Sequence, residues 1–256
     1  MTVSLEAVPR DRDALIAGAS IAEKYGRISI INIPDLLRFP VRSWEGCEIL
    51  RQHRQNRPGG PELELMPHLR AIDFDLEKPF PHVECLRANG VKKVLVISGD
   101  PPKEKAGVIH KTYPTETVPF IKKLKAEMPE LRVYAAFDPY RTNIRFELDY
   151  VRAKEEAGAE GFMSQPFFDT RLLEIYAEYL EGKNVFWGIS PVLSLSNRNY
   201  WESRNRAIFP KNFRPDLFWN VDFGRRVLHF CEVHDFNLYL MPIKVDLEFY
   251  LGGIFG

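Results

Sequence analysis

The stretch Ala159–Asp169 reads Ala-Glu-Gly-Phe-Met-Ser-Gln-Pro-Phe-Phe-Asp and places one amide side chain, Gln165, at the end of an apolar run. The run is typical of a buried strand, and a segment with helical periodicity follows it. A buried carboxamide without a hydrogen-bond partner costs about 1–3 kcal/mol. We therefore expect Gln165 to face a core acceptor, a water or a ligand where the strand ends.

The same unit of strand, turn and helix recurs along the chain. Strands are predicted at residues 2–8, 28–33, 63–67, 93–98, 132–137, 161–165, 185–189 and 237–241, and helices at 13–25, 43–55, 79–89, 118–128, 142–158, 169–181, 216–234 and 244–252. Such alternation predicts parallel strands with right-handed crossovers. Eight units predict an α/β fold, a single-domain (β/α)8 TIM barrel over residues 1–256 without a regulatory domain. The alternative is a doubly wound open sheet, but no GxGxxG motif follows the first strand.

Composition and charge exclude several classes of partner. The chain has 35 lysines and arginines and 35 aspartates and glutamates, so no net field gathers nucleic acid. The amino terminus has no uninterrupted apolar segment of the signal-peptide type, and no membrane span is indicated. We expect a cytoplasmic protein that acts on a small molecule.

Cysteines and histidines give no sign of a metal. Cys47, Cys85 and Cys231 lack metal-type spacing, and their odd number is typical of reduced thiols. The six histidines are scattered without an HExxH motif, so no catalytic metal is predicted.

A polar residue follows most of the predicted strands. These residues are Glu6, Asp35, His68, Asp100, Asp138 with Arg141, Gln165, Ser190 and Lys244. Because the carboxyl ends of barrel strands meet at one end of the barrel, the side chains are expected to form a polar ring there.

Glu6 is the first choice for a proton donor in this ring. It lies in an otherwise apolar strand, and burial raises the pKa of a carboxyl toward the range that a general acid needs. The alternative is a structural carboxylate held by a neighbouring cation.

Three other candidates each have a structural interpretation beside the functional one. His68 alone is more typical of a satisfied core histidine than of a cofactor contact. The turn around Gly99 and Asp100 would let backbone approach a flat ligand, yet the same residue types build rigid turns. Lys154, on a predicted helix, is by itself typical of a solvent-facing lysine.

Seven motifs, in order, resemble the methylenetetrahydrofolate reductase family across nearly the whole chain. They are Ser4-Leu5-Glu6-Ala7-Val8-Pro9, Pro67-His68-Leu69, Ser98-Gly99-Asp100-Pro101-Pro102, Ala135-Ala136-Phe137, Lys154-Glu155-Glu156-Ala157-Gly158-Ala159, Ser164-Gln165-Pro166-Phe167-Phe168-Asp169 and Gly188-Ile189-Ser190-Pro191-Val192. Each is weak alone, but the combination and its order are specific.

The resemblance implies a flavoprotein reductase of one-carbon metabolism and methionine biosynthesis. NAD(P)H would reduce FAD, and the reduced flavin would pass hydride to 5,10-methylenetetrahydrofolate, giving 5-methyltetrahydrofolate or running in reverse. Glu6 would protonate the folate N10, Asp100 would act in catalysis and hold the pterin, and Gln165 and Lys244 would contact the substrate. The implied FAD contacts are His68, Ser98, Gly99, Phe137, Glu147, Lys154 and Ala159.

Two departures from the family pattern leave alternatives open. Ser98 stands where the family has an arginine that contacts the FAD pyrophosphate, and Phe137 where it has a tyrosine that hydrogen-bonds the cofactor. One alternative is a flavin-independent enzyme in which NAD(P)H delivers hydride directly. Another is a catalytically silent folate- or flavin-binding barrel subunit. The preferred nicotinamide and the oligomeric state, including a homo-oligomer, stay open.

Overall fold

The computed structural model describes residues 1–56, 62–101 and 110–256. Over these residues, eight strands pair in chain order into a closed parallel barrel, and the last strand pairs with the first. The strands are β1 (Val3–Glu6), β2 (Ile28–Ile33), β3 (Glu64–Arg70), β4 (Lys93–Ile97), β5 (Arg132–Phe137), β6 (Gly161–Ser164), β7 (Val185–Ile189) and β8 (Asn237–Leu240). The predicted (β/α)8 barrel is confirmed.

The helices surround the strands, and several of them begin at a side-chain cap. They are α1 (Arg12–Glu23), α2 (Ser43–Gln55), α3 (Val83–Ala88), α4 (Thr117–Glu127), α5 (Ile144–Glu156), α6 (Thr170–Tyr179), α7 (Leu195–Asn205), α8 (Leu217–Val233) and α9 (Leu247–Phe255). Asn143, Asp169 and Asp216 each accept a hydrogen bond from a backbone N–H in the first turn of the following helix. Within the described ranges, no helix is both long enough and apolar enough to cross a membrane.

Helix α7 is the main departure from the predicted elements. No helix is predicted there from the sequence, because the segment is polar, and in the structure Trp201 is the one buried residue of α7. Such a helix lacks the apolar stripe on which periodicity arguments depend. Only Ser194, which accepts a hydrogen bond from the Asn197 N–H, gives a local sign of its start.

The strands separate an inner core from an outer one. Inward-facing side chains form one buried cluster of Ile30, Met66, Leu95, Tyr134, Met163, Phe186, Tyr239 and Met241. Outward-facing side chains pack against the helices in a larger cluster, which includes Val3 and Leu5 of β1. Successive strand residues point to opposite faces, so Ser4 and Glu6 face the interior with the inner cluster.

Candidate active site

Glu6 and Tyr239 form a hydrogen-bonded pair inside the barrel. Glu6 ends β1, and Tyr239 lies on β8, which pairs with β1 to close the barrel. The Tyr239 hydroxyl donates to Glu6 Oε2. Burial raises the pKa of Glu6 to about 6, although the hydrogen bond from Tyr239 acts in the opposite direction. A carboxyl with this pKa holds a proton in a useful fraction of molecules near neutrality, as a general acid must.

A chain of neutral polar groups lies next to this pair. Asn32 is the β2 register partner of Glu6, and its amide Nδ2 donates to Ser4 Oγ. His68 Nε2 lies 3.3 Å from Asn32 Oδ1, and burial lowers the pKa of His68 to about 3. The imidazole is therefore neutral, and this contact makes Nε2 the protonated nitrogen. His68 is 5% exposed, so it is mainly a satisfied interior histidine.

The turn after β4 is held by a buried arginine. Arg70 Nη2 donates to the backbone oxygen of Asp100 at 2.5 Å. Gly99 has φ +83°, and a Cβ there would lie 2.9 Å from Arg70 Nε, so glycine permits both the turn and the close packing. The Asp100 side chain itself is exposed. Pro102, the end of the predicted turn motif, lies outside the described residues.

Gln165 and Lys244 follow β6 and β8 with different surroundings. Gln165 is half-buried and its backbone N–H donates to the Phe137 oxygen at 2.8 Å. Within the described part of the chain its side-chain amide makes no hydrogen bond, which leaves the amide available to a ligand. Lys244 is exposed, with φ +54°, in the segment between β8 and α9.

An ionic network links the segments after β2 and β3. Arg42 binds Asp35 through two hydrogen bonds of 2.8 and 2.5 Å, and Asp73 through a third of 3.0 Å. His110 Nε2 lies 2.9 Å from Asp73 Oδ1. Asp35, one of the strand-end carboxylates, is thus committed to Arg42, and a bidentate pair of this kind fixes the loops geometrically.

A cleft of about 460 Å³ opens between the segments that follow β4 and β5. Its lining residues in the described part of the chain are Ile72, Ser98, Thr115, Glu116, Thr117, Arg141, Thr142, Phe146, Glu147 and Tyr150. Arg141 supplies a cation, and α4 begins at the cleft, where its N-cap residue Glu116 makes no side-chain cap hydrogen bond within the described residues. Cations and helix amino termini both favour anions such as phosphate.

Two buried ionisable side chains, Glu147 and Lys154, lie at or behind the wall of this cleft. Glu147, 1% exposed, accepts two 2.9 Å hydrogen bonds from Arg141 Nη2 and one from the Asp138 N–H. Lys154, also 1% exposed, donates to the Ala136 oxygen at 2.6 Å and lies over the Tyr150 ring. Burial lowers the pKa of Lys154 to about 7.

The structure does not bring every predicted cofactor residue to the cleft. Ser98 and Glu147 line it and Gly99 adjoins it, but the Phe137 ring points outward and packs against Tyr176 and Trp187. Strand alternation explains this, because the neighbouring Ala136 takes the inward position. Ala159 precedes β6, so it lies at the end of the barrel opposite the carboxyl ends of the strands.

His68 and Lys154 likewise do not line the cleft, because protein surrounds both side chains. His68 faces the barrel interior, and Lys154 lies between α5 and β5. The expectation that Lys154 alone would be a solvent-facing lysine is wrong, since the helix turns it toward the barrel wall.

A second cleft lies at the opposite end of the barrel. Its volume is about 420 Å³, and Arg51, Glu64 and Lys93 are among the residues that line it. Glu64 and Lys93 begin their strands, so this cleft is at the amino ends. None of the predicted site residues lies in its described lining.

Sequence reasoning missed Tyr239, Asn32 and Arg42. For Tyr239 and Asn32 the sequence held a usable signal, because every second residue of a strand faces the barrel interior. Asn32 falls two residues after the inward Ile30, and Tyr239 two before the inward Met241. Arg42 had no such signal, because its partners Asp35 and Asp73 are 7 and 31 residues away.

Several solved structures share this fold at low sequence identity. A protein from Clostridium thermocellum that binds two copies of 5-methyl-5,6,7,8-tetrahydrofolic acid superposes with a TM-score of 0.62 at 12% identity, covering 99% of this chain and 92% of the other. Oxaloacetate acetylhydrolase superposes with a TM-score of 0.59 at 11% identity, covering 95% and 75%. At such identities the likeness is one of fold.

Comparison of sequences identifies the family as well as the fold. The chain is 24% identical over 156 residues to 5,10-methylenetetrahydrofolate reductase from Buchnera aphidicola subsp. Schizaphis graminum (strain Sg), covering 58% of this chain. It spans about half of that relative, 52% of its length. The family model for methylenetetrahydrofolate reductase matches residues 55–217, more than half of the 256 residues. The chain therefore belongs to the methylenetetrahydrofolate reductase family.

Proposed function

We propose that this chain reduces a methylene-bridged tetrahydrofolate to 5-methyltetrahydrofolate, with NAD(P)H as the source of hydride and FAD as the cofactor. The observation that carries the proposal is Glu6, a carboxyl inside the barrel whose pKa is raised to about 6. Family membership supports the reaction class, and the folate bound by the Clostridium thermocellum structure supports the class of ligand.

Glu6 would open the substrate ring by protonating the bridging amine. Loss of that carbon–nitrogen bond leaves an electrophilic iminium carbon that can accept hydride. At neutral pH a carboxyl with the usual pKa would hold its proton in too few molecules for this step. The barrel interior overcomes this by disfavouring the carboxylate.

Gln165 and Asp100 would hold the pterin. The edge of a pterin offers both donors and acceptors, which suits one amide and one carboxylate. The Gln165 amide makes no hydrogen bond in the described residues, and the Asp100 side chain is exposed beside a glycine turn. Lys244, exposed after β8, would contact an acidic part of the substrate.

The cleft between the β4 and β5 ends suits the phosphates of FAD. Arg141, the Ser98 hydroxyl and the first N–H groups of α4 are donors for a pyrophosphate. When bound, FAD would relay hydride between the nicotinamide and the folate. Glu147 would act by orienting Arg141, to which it is bound at 2.9 Å, while His68, Phe137, Lys154 and Ala159 would support the fold around the site.

The flavin-independent reductase is the second candidate. It is favoured by the burial of His68, Phe137 and Lys154, which leaves few of the predicted FAD contacts open to the cleft. In that reaction Glu6 keeps the same role, and the nicotinamide delivers hydride directly.

The absorption spectrum of the purified protein distinguishes these candidates. A yellow preparation with a flavin band, and NADH–menadione activity that rises with added FAD, is expected if FAD is the cofactor. Colourless protein that turns over methylenetetrahydrofolate with NADH in the absence of FAD would contradict that part of the proposal.

The variant Glu6→Gln tests the acid. We expect it to lose folate turnover by roughly 100-fold or more, the usual contribution of a general acid, while flavin reduction by NADH is retained. Glu156→Gln is the matched control, because Glu156 is exposed on α5 and the charge change is the same. If wild type turns over folate and Glu6→Gln does so equally fast, the role of Glu6 is refuted. If neither protein turns over folate, the barrel is catalytically silent.

A further inference from the structure

The hydrogen bond from Tyr239 makes the two oxygens of Glu6 inequivalent. The phenol donates to Oε2, and the two groups come from the two strands that close the barrel. Because Oε2 already accepts the phenol hydrogen, it is the less favourable of the two oxygens to carry the carboxyl proton of Glu6. The transferable proton of Glu6 is therefore expected on Oε1, the oxygen that Tyr239 does not engage.

The other groups near Glu6 leave Tyr239 as its main polar partner. On β2, Asn32 is neutral and donates to Ser4. On β3, His68 is neutral and bound to Asn32, and on β1, Ser4 is uncharged. Among the described residues, burial and the Tyr239 hydrogen bond are the two causes that set the pKa of Glu6, and they oppose each other.

We propose that Tyr239 is a positioning residue that directs the transferable proton of Glu6 to Oε1 and stabilises the carboxylate left after transfer. This inference rests on the proposed function for its catalytic meaning. When Glu6 gives its Oε1 proton to the substrate nitrogen, the O–H bond breaks, a nitrogen–hydrogen bond forms, and the negative charge remains on Glu6. The Tyr239 hydroxyl is already placed to donate to that charge, and it keeps its own proton because burial and Glu6 raise its pKa.

Tyr239→Phe removes this hydroxyl and little else. Without it, burial acts on Glu6 unopposed, so the Glu6 pKa should rise by roughly one unit or more, as expected for loss of a hydrogen bond to a charged group. The measurement is a pH titration of side-chain carboxyls by NMR in protein labelled with 13C-glutamate, with the Glu6 signal assigned by its loss in Glu6→Gln. This measurement requires no substrate, so its result does not depend on whether the protein catalyses the folate reaction.

Tyr134→Phe is the matched control. Tyr134 is also a buried tyrosine of the inner cluster, but its hydroxyl accepts from Asn184 and Arg132 at the other end of the barrel. The Tyr134→Phe substitution should leave the pKa of Glu6 unchanged. If Tyr239→Phe does not fold, 3-fluorotyrosine at position 239 is the second probe, because a more acidic phenol donates more strongly and should lower the Glu6 pKa.

A Glu6 pKa that stays within about 0.3 units in Tyr239→Phe overturns the inference, since a hydrogen bond to a carboxylate contributes more than that. In the fluorinated protein, which keeps the hydrogen bond, a Glu6 pKa that does not fall overturns it. Where folate turnover is measurable, the high-pH limb of kcat/KM should move upward by the same amount as the titration. A shifted titration without folate turnover supports the Tyr239 role and refutes the proposed function instead.

Discussion

Glu6 shows how the barrel interior changes a common side chain. A carboxylate in water is well solvated, but inside the barrel the charged form loses that solvation and the pKa rises from 4.5 to about 6. The raised pKa means that ionised Glu6 lowers the free energy of unfolding. Below about pH 4.5 Glu6 is protonated whether the protein is folded or unfolded, whereas above about pH 6 the folded protein must hold a charge on a half-buried side chain that has lost much of its solvation.

Glu6→Gln should therefore stabilise the protein at neutral pH. The wild-type contribution of protonated Glu6 is complete below about pH 4.5 and is lost as the pH rises through about 6, whereas glutamine never ionises. We expect the variant to gain about 2 kcal/mol at most in free energy of unfolding above pH 7, and nothing near pH 4.

Urea unfolding of both proteins between pH 4 and pH 8 measures this difference. Other titrating groups cancel in the comparison, and Glu156→Gln controls for the change in net charge. A difference between Glu6→Gln and wild type that is the same at every pH would contradict the raised pKa of Glu6.

The strands depend on small residues where their backbones approach each other closely. A Cβ on Gly188 of β7 would lie 2.6 Å from the Ser164 backbone oxygen and 2.6 Å from Met241 Cε. A Cβ on Gly161 of β6 would lie 2.4 Å from the Tyr134 ring. These glycines let large inward side chains from neighbouring strands fill the barrel.

Gly188→Ala should destabilise the protein by about 1–3 kcal/mol through overpacking. The Ser164 oxygen is backbone within the barrel, so it cannot move away as a flexible side chain would. Gly26→Ala is the control, because nothing lies within 4 Å of a Cβ at that position. Thermal unfolding of both variants measures the effect, and an equal Tm for the two would show that the barrel can absorb the extra methyl group.

Closure of the whole molecule involves both the strands and the helices. The Thr2 N–H donates to Asn237 Oδ1 where β1 meets β8. Outside these strands, α9 packs against α8 and α1, the Tyr25 hydroxyl donates to the Glu248 oxygen at 3.1 Å, and Arg225 donates to the Gly253 oxygen at 2.6 Å. The contacts of Thr2 and Tyr25 thereby join residues more than 200 positions apart in the chain.

Leu251→Ala tests how much this closure contributes. Leu251 of α9 is fully buried, so its truncation should cost about 2–5 kcal/mol in free energy of unfolding. Phe249→Ala, on the same helix but 60% exposed, should change stability by less than about 0.5 kcal/mol. Chemical denaturation measures both, and a small effect of Leu251→Ala would mean that α9 is not needed to complete the barrel.

The sequence by itself determined the barrel, because each strand and helix carries its own period and turn signals. Strands at 28–33, 132–137 and 185–189 were predicted with the bounds that the structure has. Gly158, the last residue of a predicted helix, has φ +107° and follows Ala157, the C-cap of α5, at a position where a positive φ favours glycine. Local propensity also identified Glu6 as a carboxyl in an apolar strand.

Only the tertiary structure decided which of these residues meet. Glu6 lies 233 positions from Tyr239, and Arg42 lies 31 from Asp73, so no local pattern connects them. Motif resemblance grouped Phe137, Lys154 and Ala159 with the cofactor, but strand alternation, helix rotation and the direction of the strands separate them in space. A site depends on long-range geometry, which a one-dimensional pattern does not contain.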